Sequence, residues 1–202
     1  MARRSDHTAA QLSTMIIETA EKIIIESGSN SLSVRKITSE IGYSPGTLYQ
    51  YFSGISAVLV AVNGRTLARL EAALRSQDQP KNAVERLHVF AVAYLEFIQK
   101  NQALWNALFD FRRELNDEVP EWYANRINSL LEIIGACFED MGQNPNTEPL
   151  RAAQLIWASV HSVCSLEASG KLMLIMGQSL EGLVRELVDI HVVAYQKNVV
   201  NP

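Results

Sequence analysis

Little in this chain favours anything but helices. Its 202 residues include only 10 glycines and 6 prolines, and nowhere do apolar and polar residues alternate over a strand's length, so the expected class is all-α. Two cysteines, Cys137 and Cys164, are too few for a disulfide framework and fit a reduced, cytoplasmic setting. No run approaches the roughly 20 apolar residues that a membrane span requires, and the basic start Met1-Ala2-Arg3-Arg4-Ser5-Asp6-His7 leads into no apolar signal core. Catalytic signatures are missing as well: there is no phosphate-binding glycine loop, no His-Glu-x-x-His zinc helix and no G-x-S-x-G turn. A di-iron bundle needs Glu-x-x-His on two helices, and only Glu85 to His88 has that spacing. Neither an enzyme nor a cofactor is expected. His161 and Cys164 fall on one helical face, but two ligands fall short of a tetrahedral site, so no metal is expected either.

Basic charge is also scarce, with a net charge of −4 over the whole chain. Residues 1–64 balance Arg3, Arg4, Lys22, Arg35 and Lys36 against Asp6, Glu18, Glu21, Glu26 and Glu40, for a net of zero, and the remainder carries the deficit. A polyanion partner would find only a weak non-specific attraction here.

What is present is one stretch of pronounced local character, Gly42-Tyr43-Ser44-Pro45-Gly46-Thr47-Leu48-Tyr49-Gln50-Tyr51-Phe52. Gly42 suits a position needing positive φ, Ser44 an N-cap, and Pro45 the first helical turn, where a missing N–H costs nothing. Leu48 and Phe52, four apart, share an inner face. Thr47, Gln50 and Tyr51 are expected outward, with Tyr49 at the flank. Upstream, Ser33 can cap a helix 34–41 whose Ile37 and Ile41 face inward. Two short helices joined around Gly42-Tyr43 make a helix-turn-helix, whose second helix enters a DNA major groove.

Around this motif the chain reads as about nine helices. The first runs from about Thr8 to Ser27 and is stopped by Gly28. After the motif, Ser53-Gly54 breaks the pattern and a long connector runs over 55–77. Pro80 opens the remainder: helices to Lys100, from Gln102 to about Arg113, from the start signal Asp117-Glu118-Val119-Pro120 to Met141, and from Asn146 or Thr147 to Ser169. A short apolar piece over 171–176 then leads to a last helix, from Ser179 to about Val199. The expected domains are 1–54 and 55–202. The last helix is apolar over a wide arc, with Leu180, Leu183, Leu187, Ile190 and Ala194 on one stripe and Val184, Val188, His191 and Tyr195 on another. Such a helix is buried on two sides. The first stripe, with Leu150, Ile156, Val160 and Val163 of the preceding long helix, is the expected homodimer interface.

Three helices, the third written Ser-Pro-Gly-Thr-Leu-Tyr-Gln-Tyr-Phe, followed by a long connector, resemble the TetR family of bacterial transcriptional regulators over roughly residues 10–60. The resemblance implies a cytoplasmic, dimeric, repressor-type regulator whose motif binds a double-stranded DNA operator and whose C-terminal helical domain binds a small-molecule effector. By position, Arg35 matches a base-reading arginine and Thr47 a base-contacting threonine. Gln50 and Tyr51 match outward positions, Tyr49 a backbone-binding tyrosine, and Pro45 and Gly46 residues near the groove floor. Ser33 and Ser44 cap the two helices and join the expected DNA-contacting set. Where the family usually has a phosphate-gripping lysine this chain has Ile55, a lost charge that Arg3 and Arg4 would have to make good. Trp105, Phe109, Trp122, Trp157 and His161 are the expected lining of an effector site, and the few charges among them point to an apolar or aromatic ligand. The alternative is a C-terminal domain that binds a protein partner instead.

Overall fold

The computed structural model describes residues 7–110 and 119–197. Arg3, Arg4, the Asp117-Glu118 start signal and the expected helix ends at Arg113 and Val199 lie outside the described residues. Among the described residues are ten α-helices and no strand. They are α1 (Ala9–Ser27), α2 (Val34–Ile41), α3 (Pro45–Leu48), α4 (Ile55–Arg75), α5 (Ala83–Lys100), α6 (Gln102–Asp110), α7 (Glu121–Glu139), α8 (Pro149–Ala168), α9 (Leu172–Met176) and α10 (Leu180–Gln196). The tenth helix is the short apolar piece before α10.

Local chemistry sets the boundaries. Thr8 and Gln11 form a reciprocal capping box at the start of α1: Thr8 Oγ1 accepts from the Gln11 N–H at 3.3 Å, and Gln11 Oε1 accepts from the Thr8 N–H at 2.7 Å. Gly28 ends α1 at φ 78°, and Gly42 ends α2 in the left-handed region at φ 75°, ψ 30°. A Cβ there is disfavoured by roughly 1–2 kcal/mol, so glycine is the economical stop. Ser33 Oγ accepts the Lys36 N–H at 3.2 Å. The start of α8 differs from expectation: neither Asn146 nor Thr147 caps it, but Glu148 occupies the cap position without a side-chain bond and Pro149 supplies the first turn.

The chain packs as two compact units, Met1–Arg69 with Asn101–Tyr123, and Leu70–Lys100 with Ala124–Pro202. The first is built on Ile16, Ala20, Ile23 and Ile24 of α1, Ile37 of α2, Leu48 of α3, Val58 and Val62 of α4, and Leu104 and Ala107 of α6. The expected division at 54/55 is one of roles, DNA reading on one side and effector binding on the other. Packing divides the chain differently, because the motif's helices are too small to enclose their own apolar face and borrow α4 and α6 to do so. In the second unit α5, α8 and α10 bury Leu87, Phe90, Tyr94, Ile156, Val160, Val184, Val188 and Val192. Phe138 of α7 packs against Tyr195 at 5.0 Å between ring centroids. Asn144, itself buried, donates to the Tyr195 carbonyl at 2.7 Å and accepts the Asn146 N–H at 2.8 Å.

Ile37, with no exposed surface, sits in the first unit's core and is one of the few buried anchors of α2. Ile37→Ala is expected to lower the unfolding free energy by about 2–5 kcal/mol, measured by urea denaturation of the full chain.

Candidate nucleic-acid interface and effector residues

The motif is a short helix pinned by one side chain. α3 has only four residues, and Leu48 is fully buried among Ile37, Val58 and their neighbours. The helix was expected to reach Phe52. Instead it ends at Leu48, and residues 49–51 continue as turns, with the N–H groups of Tyr51 and Phe52 both donating to the Leu48 carbonyl at 3.0 Å. The tighter path lets Tyr51, Phe52 and Ile55 lie against the core. Tyr51 is therefore half-buried rather than outward. Ser44 holds the cap position but caps no N–H; its Oγ hydrogen-bonds Thr47 Oγ1 at 3.3 Å.

What remains outward is Pro45, Gly46, Tyr49 at 58% exposure and Gln50, with Thr47 half-exposed. A Cβ on Gly46 would meet nothing nearer than Ser44 Oγ at 3.8 Å, so the surface there is open to an approaching partner. Ser33 and Arg35, at the start of α2, are exposed too. Tyr43, which the sequence did not single out, hydrogen-bonds His7 Nδ1 at 2.8 Å and so ties the start of the described chain to the turn of the motif.

Electrostatics explains how a unit with so few basic residues still offers cations. Glu40 pairs with Lys22 at 3.6 Å, while Glu21 is taken up by Arg69 at 2.8 Å and Glu18 by Arg65 at 3.6 Å. Among the described residues Arg35 and Lys36 enter no ion pair. The three carboxylates of Glu18, Glu21 and Glu40 are taken up in contacts of α1 with α2 and α4. Ile55 packs half-buried against the core.

The expected effector residues fall into two groups in different units. In the first, Trp105 is 4% exposed and its ring lies 5.1 Å from that of Phe109, which is largely exposed. Trp122, 51% exposed, rests its ring on Gly64 and meets Tyr123 edge to face at 5.6 Å. In the second, Trp157 and His161 stack along α8 at 5.5 Å and 13°. His161 Nε2 also hydrogen-bonds Ser165 Oγ at 3.2 Å. A groove of about 390 Å3 in the second unit is lined by Arg75, Gln79, Arg86, Phe90, Ile133, Ala136 and Asp140, none of them an expected effector residue. Burial pushes the Cys164 thiol up to about 12, so in this environment it is held as a protonated thiol.

The expected interface residues are divided by burial. Ile156, Val160, Val163 and Leu183 lie inside the second unit's own core, Leu180 and Leu187 are half-buried, and Leu150, Ile190 and Ala194 are exposed. The core stripe of α10 is Val184, Val188, Val192 and Tyr195, leaving Ile190, Val193 and Ala194 outward.

A short helix-turn-helix on an α-helical core, followed by a larger helical unit, is the architecture of a bacterial transcriptional regulator. Residues 16–62 match the family model described as bacterial regulatory proteins, tetR family, and residues 87–191 match that of the tetracyclin repressor-like C-terminal domain. The chain belongs to the TetR family. It is similar to the HTH-type transcriptional regulator BetI of Brucella canis, 25% identical over 122 residues, a match covering 57% of this chain and 62% of that protein. Among solved structures, the fold is similar to a protein of unknown function from Rhodococcus sp. RHA1, with TM-score 0.71, 18% identity, and 99% of this chain and 100% of the other covered. It is similar also to the regulator FadR of Bacillus subtilis in complex with stearoyl-CoA, with TM-score 0.63, 19% identity, and 89% and 97% covered.

Burial holds the imidazoles of His161 and His191 below the usual 6.5. As pH falls, the unfolded chain takes up these protons first, so the stability they lend is complete above about pH 6.5 and is lost below it. Urea midpoints are expected to fall between about pH 7.5 and 5.5, and the fall is expected to be smaller in the His161→Gln/His191→Gln variant.

Proposed function

We propose that the chain is a ligand-responsive transcriptional repressor that binds a near-palindromic DNA operator as a homodimer and is released by a small apolar or aromatic effector. The observation that carries this reading is the outward set Pro45, Gly46, Tyr49 and Gln50, held by the buried Leu48 and accompanied by an Arg35 that enters no ion pair among the described residues. Arg35 would read guanine O6 and N7 through a bidentate contact. Thr47 and Gln50 would reach base edges, Tyr49 would bind the phosphate backbone, and the bare Gly46 would allow close approach. Tyr51, half-buried, would position the turn rather than read a base.

The effector reading rests on the exposed rings of Phe109, Trp122 and Trp157 and on the family's ligand-binding relatives, one of which is described with stearoyl-CoA bound. The dimer reading rests on the outward apolar residues of α8 and α10, Leu155, Ile190, Val193 and Ala194, on two helices that pack against one another. This interface differs from the one expected from periodicity, since Ile156, Val160 and Val163 are spent inside the protomer. Two recognition helices about 34–36 Å apart would then meet successive major grooves. The alternative of a protein partner draws on α9, where Met173, Leu174, Ile175 and Met176 are all exposed.

Selection from random duplexes at fixed salt is expected to enrich a two-fold symmetric site. Arg35→Ala should cost roughly 1–3 kcal/mol and relax discrimination at one base pair; an equal loss on every sequence would make Arg35 a phosphate contact. Ile190→Glu should shift the sedimenting species from dimer to monomer and abolish tight binding to the symmetric site. A dimer unaffected by this change would place the interface elsewhere.

A further inference from the structure

The groove in the second unit is made by residues that neither the motif nor the expected effector set uses. Its volume is about 390 Å3, and small-molecule sites occupy roughly 300–1,000 Å3. Two helices form its walls. On α5, Arg86 and Phe90 are four apart and share a face. On α7, Ile133 and Ala136 are three apart, and Asp140 stands one residue past the helix end. Phe90 is 3% exposed and Ile133 is half-buried, so the groove has an apolar floor that belongs to the unit's core. Ala136 keeps the space open, because it lines the wall with a single methyl group.

Two arginines line the groove, and they differ in what they have left to offer. Arg86 is committed: Nη1 donates to the Pro80 carbonyl at 3.0 Å and Nη2 pairs with Asp140. Arg75, in the last turn of α4, has a side chain 59% exposed and donates through Nε to Glu71 Oε1 at 3.0 Å. The other oxygen of Glu71 accepts from Arg126 Nη1 of α7, also at 3.0 Å, so the carboxylate that holds Arg75 is itself held. Among the described residues the two Nη groups of Arg75 enter no hydrogen bond or ion pair. A guanidinium fixed through Nε, with both Nη groups open, is a fork that matches the two oxygens of a carboxylate. Asp140 and Glu71 stand close by and repel a second negative charge, so the anion that fits is a monoanion and not a phosphate ester.

We propose that this groove is a second small-molecule site, which takes an amphipathic carboxylate: the acid group pairs with the open fork of Arg75, and the hydrocarbon body covers Phe90, Ile133 and Ala136. The lining residues all lie in the second unit and include neither Trp157 nor His161, so the site is distinct from that aromatic stack. Covering the apolar floor supplies affinity, and Arg75 supplies selection. An ammonium on the same hydrocarbon would meet a cation, and an alcohol would forgo the charge-assisted pair. From Ile133 to Asp140 is about 10 Å at the rise of a helix, a length that an eight-carbon acid spans.

The test is calorimetric titration of the full chain with octanoate, octanol and octylamine, which share one hydrocarbon body. Octanoate is expected to saturate one site per chain, with octanol and octylamine at least tenfold weaker. Arg75→Gln is expected to weaken octanoate at least tenfold while leaving octanol within twofold, and Ala136→Leu, which fills the groove, to remove the binding of both. Glu71 keeps Arg126 as its partner in Arg75→Gln, and Ala136 is exposed on α7, so both variants are expected to hold the wild-type urea midpoint. Trp157→Ala fixes the location and is expected to bind octanoate within twofold of wild type. The proposal is overturned if octanoate shows no saturable binding at millimolar concentration, or if its binding survives Arg75→Gln or Ala136→Leu within twofold. Loss of octanoate binding in Trp157→Ala would overturn it as well, by moving the ligand to the aromatic stack.

Discussion

A helix of four residues cannot hold itself together in water, since nucleation costs more than so few hydrogen bonds return. Everything the motif presents therefore hangs on Leu48, the one buried side chain of α3. It enters a core to which α1, α2, α4 and α6 each contribute, and that core in turn fixes the φ-positive turn at Gly42 and the exposed backbone of Pro45 and Gly46. The recognition surface is a small polar cap on a shared apolar foundation. Its precision is that of the foundation.

Much of this was legible in the sequence because local chemistry wrote it there. The cap Ser33, the stop glycines Gly28 and Gly42, and the first-turn Pro45 all act within a few residues of themselves. The misreadings are tertiary. Nothing near Tyr51 says that the turn after Leu48 tightens to fold its ring inward, and nothing near Ile156 or Val160 says which of two apolar stripes the protomer keeps. The placement of α6 in the first core was invisible for the same reason: Leu104 and Ala107 look like any helix interior until their partners are known.

The acid–base balance illustrates why net charge is a poor guide to a surface. The first 64 residues are formally neutral, but Glu18 and Glu21 are committed to arginines of α4 and Glu40 to Lys22. Pairing segregates the charge that composition averages. Among the described residues Arg35 escapes this pairing, while Ile55, at the start of α4, is given to packing.

Because the first unit is assembled from Met1–Arg69 and Asn101–Tyr123, it is discontinuous along the chain. Its core cannot close until α6 has been made, after the whole of α5 has already been synthesised. During synthesis the motif therefore waits, with Ile37 and Leu48 lacking the cover of Leu104 and Ala107, while roughly forty further residues are added, about 2–8 seconds at ordinary elongation rates. A fragment cut after the connector would inherit that unfinished surface permanently. The DNA-reading end of this protein is thus an assembly of distant segments, not a module that can be lifted out and grafted elsewhere.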